Sequence, residues 1–204
     1  MIKRLMTVFA LGFALCSPAL AAEEWSAERV LTEANGYFNT ITTFRAQFEQ
    51  VDSSGAISTG TAYMKRPGRA RFEYADPNPI TVVANRSFVT LEDREFNTVD
   101  RYPAGSTPLS MLLAKEVDFS AKAEIVSIEQ GDDIVRVTAR DKDEPGQGQI
   151  MLEFAKQPFE LRQWVITDAQ GLDTRVIFSA HTYGIELANS LFHISDTIQP
   201  MRRN

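Results

Sequence analysis

In Phe44-Arg45-Ala46-Gln47-Phe48-Glu49-Gln50, apolar Phe44, Ala46 and Phe48 alternate with polar Arg45, Gln47 and Glu49. A period of two puts Phe44, Ala46 and Phe48 on one face of a half-buried strand. Asp52-Ser53-Ser54-Gly55 closes that strand as a turn. Two more strand patterns follow at residues 57–66 and 69–74. Pro67-Gly68 joins them, a pair suited to a type II turn. By parity Ala70, Phe72 and Tyr74 share one face of the third strand, with Arg69, Arg71 and Glu73 on the other. On the second strand Gly60, Ala62, Met64 and Arg66 share a face, so a guanidinium stands at the strand end beside Met64. Arg66 also precedes proline, which holds its backbone extended.

Working toward the C-terminus, strand patterns recur at 80–84, 87–92, 95–102, 124–130, 134–140, 149–154, 161–167 and 174–180. Turn residues separate them at short intervals, as in Asp76-Pro77-Asn78-Pro79 and Asn85-Arg86. Many short strands so spaced predict a single large antiparallel sheet or a barrel. Two helical pieces interrupt it. Thr107 can cap a helix with Pro108 in its first position, followed by Leu109, Met111, Leu112 and Leu113. Residues 187–193 are a shorter candidate.

Working toward the N-terminus, the period before Thr42 is helical. Ser26 is the expected N-cap, and Val30, Ala34, Tyr37, Phe38 and Ile41 recur at helical spacing. The first residues form a secretory leader: Lys3 and Arg4 precede a short apolar run over 5–15, and Ala19-Leu20-Ala21 is an A-x-A cleavage site. That run is shorter than the ~20 residues of a membrane span. The expected organisation is a signal peptide over 1–21 and one domain over 22–204. Cys16, the sole cysteine, falls in the leader, and Leu15 before it lacks the small side chain of a lipid-attachment motif. The mature chain is therefore expected to hold no disulfide and no cysteine metal site.

Loss of Lys3 and Arg4 makes the formal charge of −6 two units more negative, −8. Such an acidic chain is a poor partner for nucleic acid or an anionic membrane surface. The chain carries no G-x-S-x-G elbow, P-loop, H-E-x-x-H or Rossmann glycine pattern. Of its two histidines, His181 and His193, the second lies between Phe192 and Ile194 and is expected to be a packed or rim residue, and the two tryptophans, Trp25 and Trp164, are expected to be packing residues. Asp132-Asp133 and Asp141-Lys142-Asp143-Glu144 read as solvated turns. No enzyme, cofactor or metal is expected.

The segment Tyr63-Met64-Lys65-Arg66-Pro67-Gly68-Arg69-Ala70-Arg71-Phe72-Glu73-Tyr74 resembles the LolA family of outer-membrane lipoprotein carriers. Phe44 to Gln50 upstream, Asp76-Pro77-Asn78-Pro79 downstream and Thr107-Pro108-Leu109 with Leu112-Leu113 extend the resemblance over nearly the whole mature chain. Two departures are Asn85-Arg86, where relatives carry an Asp-Gly-type turn, and the small Ala70. The resemblance implies a mainly β (α+β) fold: an incomplete antiparallel barrel covered by an N-terminal helix and short lid helices. It implies a periplasmic, non-enzymatic carrier that holds lipoprotein acyl chains in an apolar cavity. An inner-membrane lipoprotein-releasing transporter would load it, and an outer-membrane acceptor, or the outer membrane itself, would receive the cargo. It further implies that Arg66, by its place in Lys-Arg-Pro, bonds to lid backbone and controls opening. The expected cavity contributors are Phe38, Met64, Phe72, Leu109 and Leu112, with ordinary core packing the competing reading for each.

A monomer is expected. The main alternative is a lipid- or lipoprotein-sensing module resembling the sigma-E regulator RseB, which has a second domain for which this chain is expected to be too short. A periplasmic hydrolase is the alternative from the enzyme class. Intact-mass measurement of protein recovered from the periplasm is expected to give a chain beginning at Ala22. A diacylated Cys16 species would overturn the soluble-carrier reading, because a tethered chain cannot shuttle.

Overall fold

The computed structural model describes residues 24–194. The expected leader, its cleavage site and Cys16 lie outside the described residues. The fold is mainly β: a helix α1 (Ala27–Thr40), then strands β1 (Thr43–Val51), β2 (Ile57–Lys65), β3 (Ala70–Tyr74), β4 (Ile80–Ala84), β5 (Phe88–Asp93) and β6 (Thr98–Pro103). Two single-turn helices follow, α2 (Ser110–Leu113) and α3 (Phe119–Lys122). The chain then forms β7 (Ala123–Gln130), β8 (Ile134–Asp141), β9 (Gln149–Lys156), β10 (Phe159–Thr167) and β11 (Asp173–Tyr183).

All eleven strands form one open antiparallel sheet in the order β6-β5-β4-β3-β2-β1-β11-β10-β9-β8-β7. The first and last strands are neighbours in its middle, with Phe48 opposite Phe178. Four strand steps separate β3 from β10, or ~19 Å in a flat sheet. Yet the rings of Phe72 on β3 and Trp164 on β10 are 6.0 Å apart. The sheet is therefore coiled until its concave face nearly meets itself, which makes it an incomplete barrel.

Local chemistry explains the elements. Ser26 Oγ accepts from Arg29 N at 3.2 Å and starts α1, which buries Val30, Ala34 and Phe38 against the concave face. Phe44, Ala46 and Phe48 are buried in alternation along β1. Asn85 Oδ1 accepts from Ser87 N and Phe88 N, so the Asn85-Arg86 hairpin closes without an Asp-Gly pair. The second and third strands are each one residue shorter than expected at the turn. Gly68 there has the positive φ (+76°) that a type II turn requires at its third residue, and the Arg66–Pro67 peptide is cis.

Three further departures have local causes. The strand expected from Glu95 begins at Thr98, because Asp93 Oδ1 accepts from Glu95 N and Phe96 N and Asn97 takes a positive φ. The helix expected from Thr107 lasts one turn: Thr107 Oγ1 accepts from Leu109 N, but Ala114 is already extended. Helix α3, absent from the sequence reading, starts where Asp118 Oδ1 accepts from Ala121 N. The short helical candidate at residues 187–193 is a single 3-10 turn, Asn189–Phe192, on the convex face, where Leu187, Phe192 and Ile194 pack with Val83.

Close approach at one strand crossing yields a test. A Cβ on Gly60 would overlap the Glu73 carbonyl oxygen and stand 2.7 Å from the Phe48 ring, whereas one on Gly36 in α1 would meet nothing. Gly60→Ala is expected to destabilise by about 1–3 kcal/mol through overpacking. Gly36→Ala should stabilise by about 0.5–1 kcal/mol. Urea denaturation of both variants is the measurement, and equal midpoints would contradict the packing described at Gly60.

Candidate functional site

The concave face and the helices enclose one apolar interior. Phe38 from α1, Met64 from β2 and Leu112 from α2 are at most 3% exposed there, and half-buried Phe72 and Leu109 pack against them. All five residues singled out from sequence thus meet in one cluster. The aromatic lining continues through Phe48, Phe154, Trp164 and Phe178. The sheet supplies a continuous wall, and among the described residues α1, α2 and α3 cover it. The segment carrying α2 and α3 is the least regular part of that cover.

Arg66 ties this segment to the sheet. Its backbone N donates to Thr42 O at 2.8 Å, which fixes the end of β2 beside the end of α1. Its Nη2 donates to the carbonyl oxygen of Ala114 at 2.7 Å, the residue that ends α2. A longer contact of 3.5 Å reaches Asn39 Oδ1. Burial disfavours the charged form of Arg66 and draws its pKa below the usual arginine value. Nε and Nη1 are enclosed and have no partner among the described residues. A single carbonyl therefore holds the best-aligned part of the fork.

Two asparagines that sequence reasoning missed stitch the same segment to α1. Asn39 Nδ2 donates to Val117 O at 2.8 Å, and its Oδ1 accepts from Val117 N at 2.9 Å. Asn35 Oδ1 accepts from Phe119 N at 3.0 Å. Their signal was present: amides four residues apart fall on one side of a helix, where each can replace a missing backbone partner. Outside this seam, a cleft of about 630 Å³ opens between the hairpin turns and α2, lined by Gly68, Arg86, Leu113, Ala114 and Lys115.

His181 is packed, with its side chain 5% exposed and its ring stacked on those of Phe44 and Tyr183. Burial draws its pKa down, and the Glu160 carboxylate 3.6 Å from Nδ1 opposes that shift. Among the described residues no cluster of three or more His, Cys, Asp or Glu side chains could hold a metal ion. No helix among them is long and apolar enough to cross a membrane.

Comparison with known proteins matches this architecture. An outer-membrane lipoprotein carrier protein of Leptothrix cholodnii is 29% identical over 186 residues, covering 83% of this chain and 84% of that protein. An uncharacterized Rickettsia prowazekii protein is 28% identical over 108 residues, 53% of this chain, and the match spans about half (51%) of that protein's length. The crystal structure of an uncharacterized conserved protein from Thermus thermophilus shares the fold, with a TM-score of 0.52 at 12% identity over 86% of this chain and 98% of that one. The sequence profile of the outer membrane lipoprotein carrier protein LolA matches residues 39–195. With the profile spanning all eleven strands of the sheet and the segment carrying α2 and α3, this chain belongs to the LolA family of outer membrane lipoprotein carrier proteins.

Proposed function

We propose that this protein is a periplasmic carrier that takes lipoprotein acyl chains into the space between sheet and lid and passes them from the inner to the outer membrane. The observation that carries this reading is the Arg66 Nη2–Ala114 O bond across the seam of an apolar interior. Arg66 acts as a latch, and Phe38, Met64, Phe72, Leu109 and Leu112 contact the acyl chains when the lid segment moves away. The export leader over 1–21 and the acidic, stapleless domain after it suit such a route. A membrane transporter supplies the energy for loading, and an acceptor at the outer membrane receives the cargo.

Magnitudes support a reversible lid. A hydrogen bond from a charged donor contributes about 1.5–3 kcal/mol net, and each buried acyl methylene about 0.8 kcal/mol. Two to four methylenes therefore offset the latch, and a chain of a dozen, contributing roughly 10 kcal/mol, also offsets the burial of lid leucines at about 1.5–3 kcal/mol each. Cargo and lid compete for one surface, so occupancy shifts the population toward the open form. A lid that closes too weakly cannot help expel its cargo.

Arg66→Leu is therefore expected to fold and load, yet to release its lipoprotein about 10- to 100-fold more slowly to acceptor membranes, the fold-change that the lost bond converts to. Arg66→Lys should fall between, since it keeps the charge but loses the planar fork. Transfer from purified variants is the readout. Transfer by Arg66→Leu at the wild-type rate would reduce Arg66 to a rim residue.

A further inference from the structure

The concave wall contains a hydrogen-bond donor that the protein leaves unused. Trp164 lies midway along β10, between Leu152 on β9 and Val176 on β11, and is 2% exposed. Its ring meets Phe178 edge-on at 4.7 Å and Phe72 at 6.0 Å. Its Nε1 is fully enclosed, with no acceptor among the described residues. An indole N–H can only donate, and a buried one normally finds a partner. Leu152, Val176, Phe72 and Phe178 offer no side-chain acceptor. Packing alone is served as well by an all-carbon ring, which would avoid the cost of a stranded donor.

We infer that the Trp164 indole N–H is the recognition point for a carbonyl oxygen of the bound lipid, an ester or amide of the acyl linkage. This deepens the carrier reading above and rests on it. The ligand class is then acyl rather than merely alkyl. Hydrocarbon tails supply the affinity through the surrounding aromatic wall, while a single oxygen removes the penalty carried by the unpaired N–H. A site with a buried unpaired donor discriminates against ligands that bring no acceptor, since those leave the penalty in place. Trp164 contacts Phe72 directly, so the carbonyl is held on the same wall as the proposed tail-binding residues.

The test compares dioctanoylglycerol with dioctyl glyceryl ether, which share chain length and differ in their carbonyls. The sequence holds only two tryptophans, so in protein labelled with nitrogen-15 at the indoles, Trp25 serves as the internal reference. The Trp164 Nε1–H resonance is expected to move downfield with the ester and to stay nearly unchanged with the ether. Wild type should prefer the ester by about two- to tenfold, the ratio that one neutral hydrogen bond converts to. Trp164→Phe should abolish that preference while still binding the ether. If both probes bind equally and shift the indole alike, the inference fails and the carrier reading stands. If neither probe binds, the carrier reading fails and the inference falls with it. The labelled wild-type measurement decides the matter even if Trp164→Phe does not fold.

Discussion

A single sheet with one apolar face must cover that face, and the described residues include very little helix with which to do so. Besides the 14-residue α1, the cover consists of two helices of four residues each. The sheet responds by coiling, which brings Phe72 and Trp164 into contact from strands four steps apart. Coiling shields most of the wall with the wall itself. What remains open is a slot, and α1 with the lid segment fills it. Curvature, the shape of the interior and the need for a lid all follow from that shortage of covering helix.

The slot is closed by polar bonds placed around an apolar centre. Asn35 and Asn39 offer α1 side-chain amides to the backbone at Val117 and Phe119, and Arg66 reaches Ala114 from the end of β2. Backbone groups of an irregular segment need partners when they leave water, and these three side chains meet that need without extending any helix. The apolar contacts beneath them, Leu109 and Leu112 among them, belong to the one core cluster. Arg66 Nε and Nη1 and Trp164 Nε1 stay enclosed there without a partner among the described residues.

The opposite face of the sheet carries a second, smaller apolar cluster. Leu187, Phe192 and Ile194 from the tail pack on Val83, while Lys65 Nζ and Arg71 Nη1 donate to the carbonyl oxygens of Leu187 and Leu191. The polar face of β2 and β3 thus anchors the tail on the outside, and the apolar face of the same strands lines the interior. That division explains why Arg71 and Arg66 act on different sides: Arg71 belongs to the alternating pattern of β3, whereas Arg66 shares the parity of Met64.

Much of this was legible in the residues alone. Period two at Phe44, Ala46 and Phe48 and the parity of Ala70, Phe72 and Tyr74 identified the buried faces, because side-chain direction in a strand follows sequence position with no reference to the rest of the chain. The same parity put Arg66 beside Met64. Element ends were read less well, since Asp93 and Asp118 end or start elements through bonds to nearby backbone N–H groups, and Asn97 through a positive φ, all of which compete with periodicity. Strand order, the coil of the sheet and the pairing of β1 with β11 were decided only by tertiary structure. Those depend on which apolar faces meet, and many faces of like composition could have met. The partners of Asn35 and Asn39, whose four-residue spacing marked only a shared side of α1, and the lack of one at Trp164 were decided there as well, because a partner is a property of what lies across space from a residue.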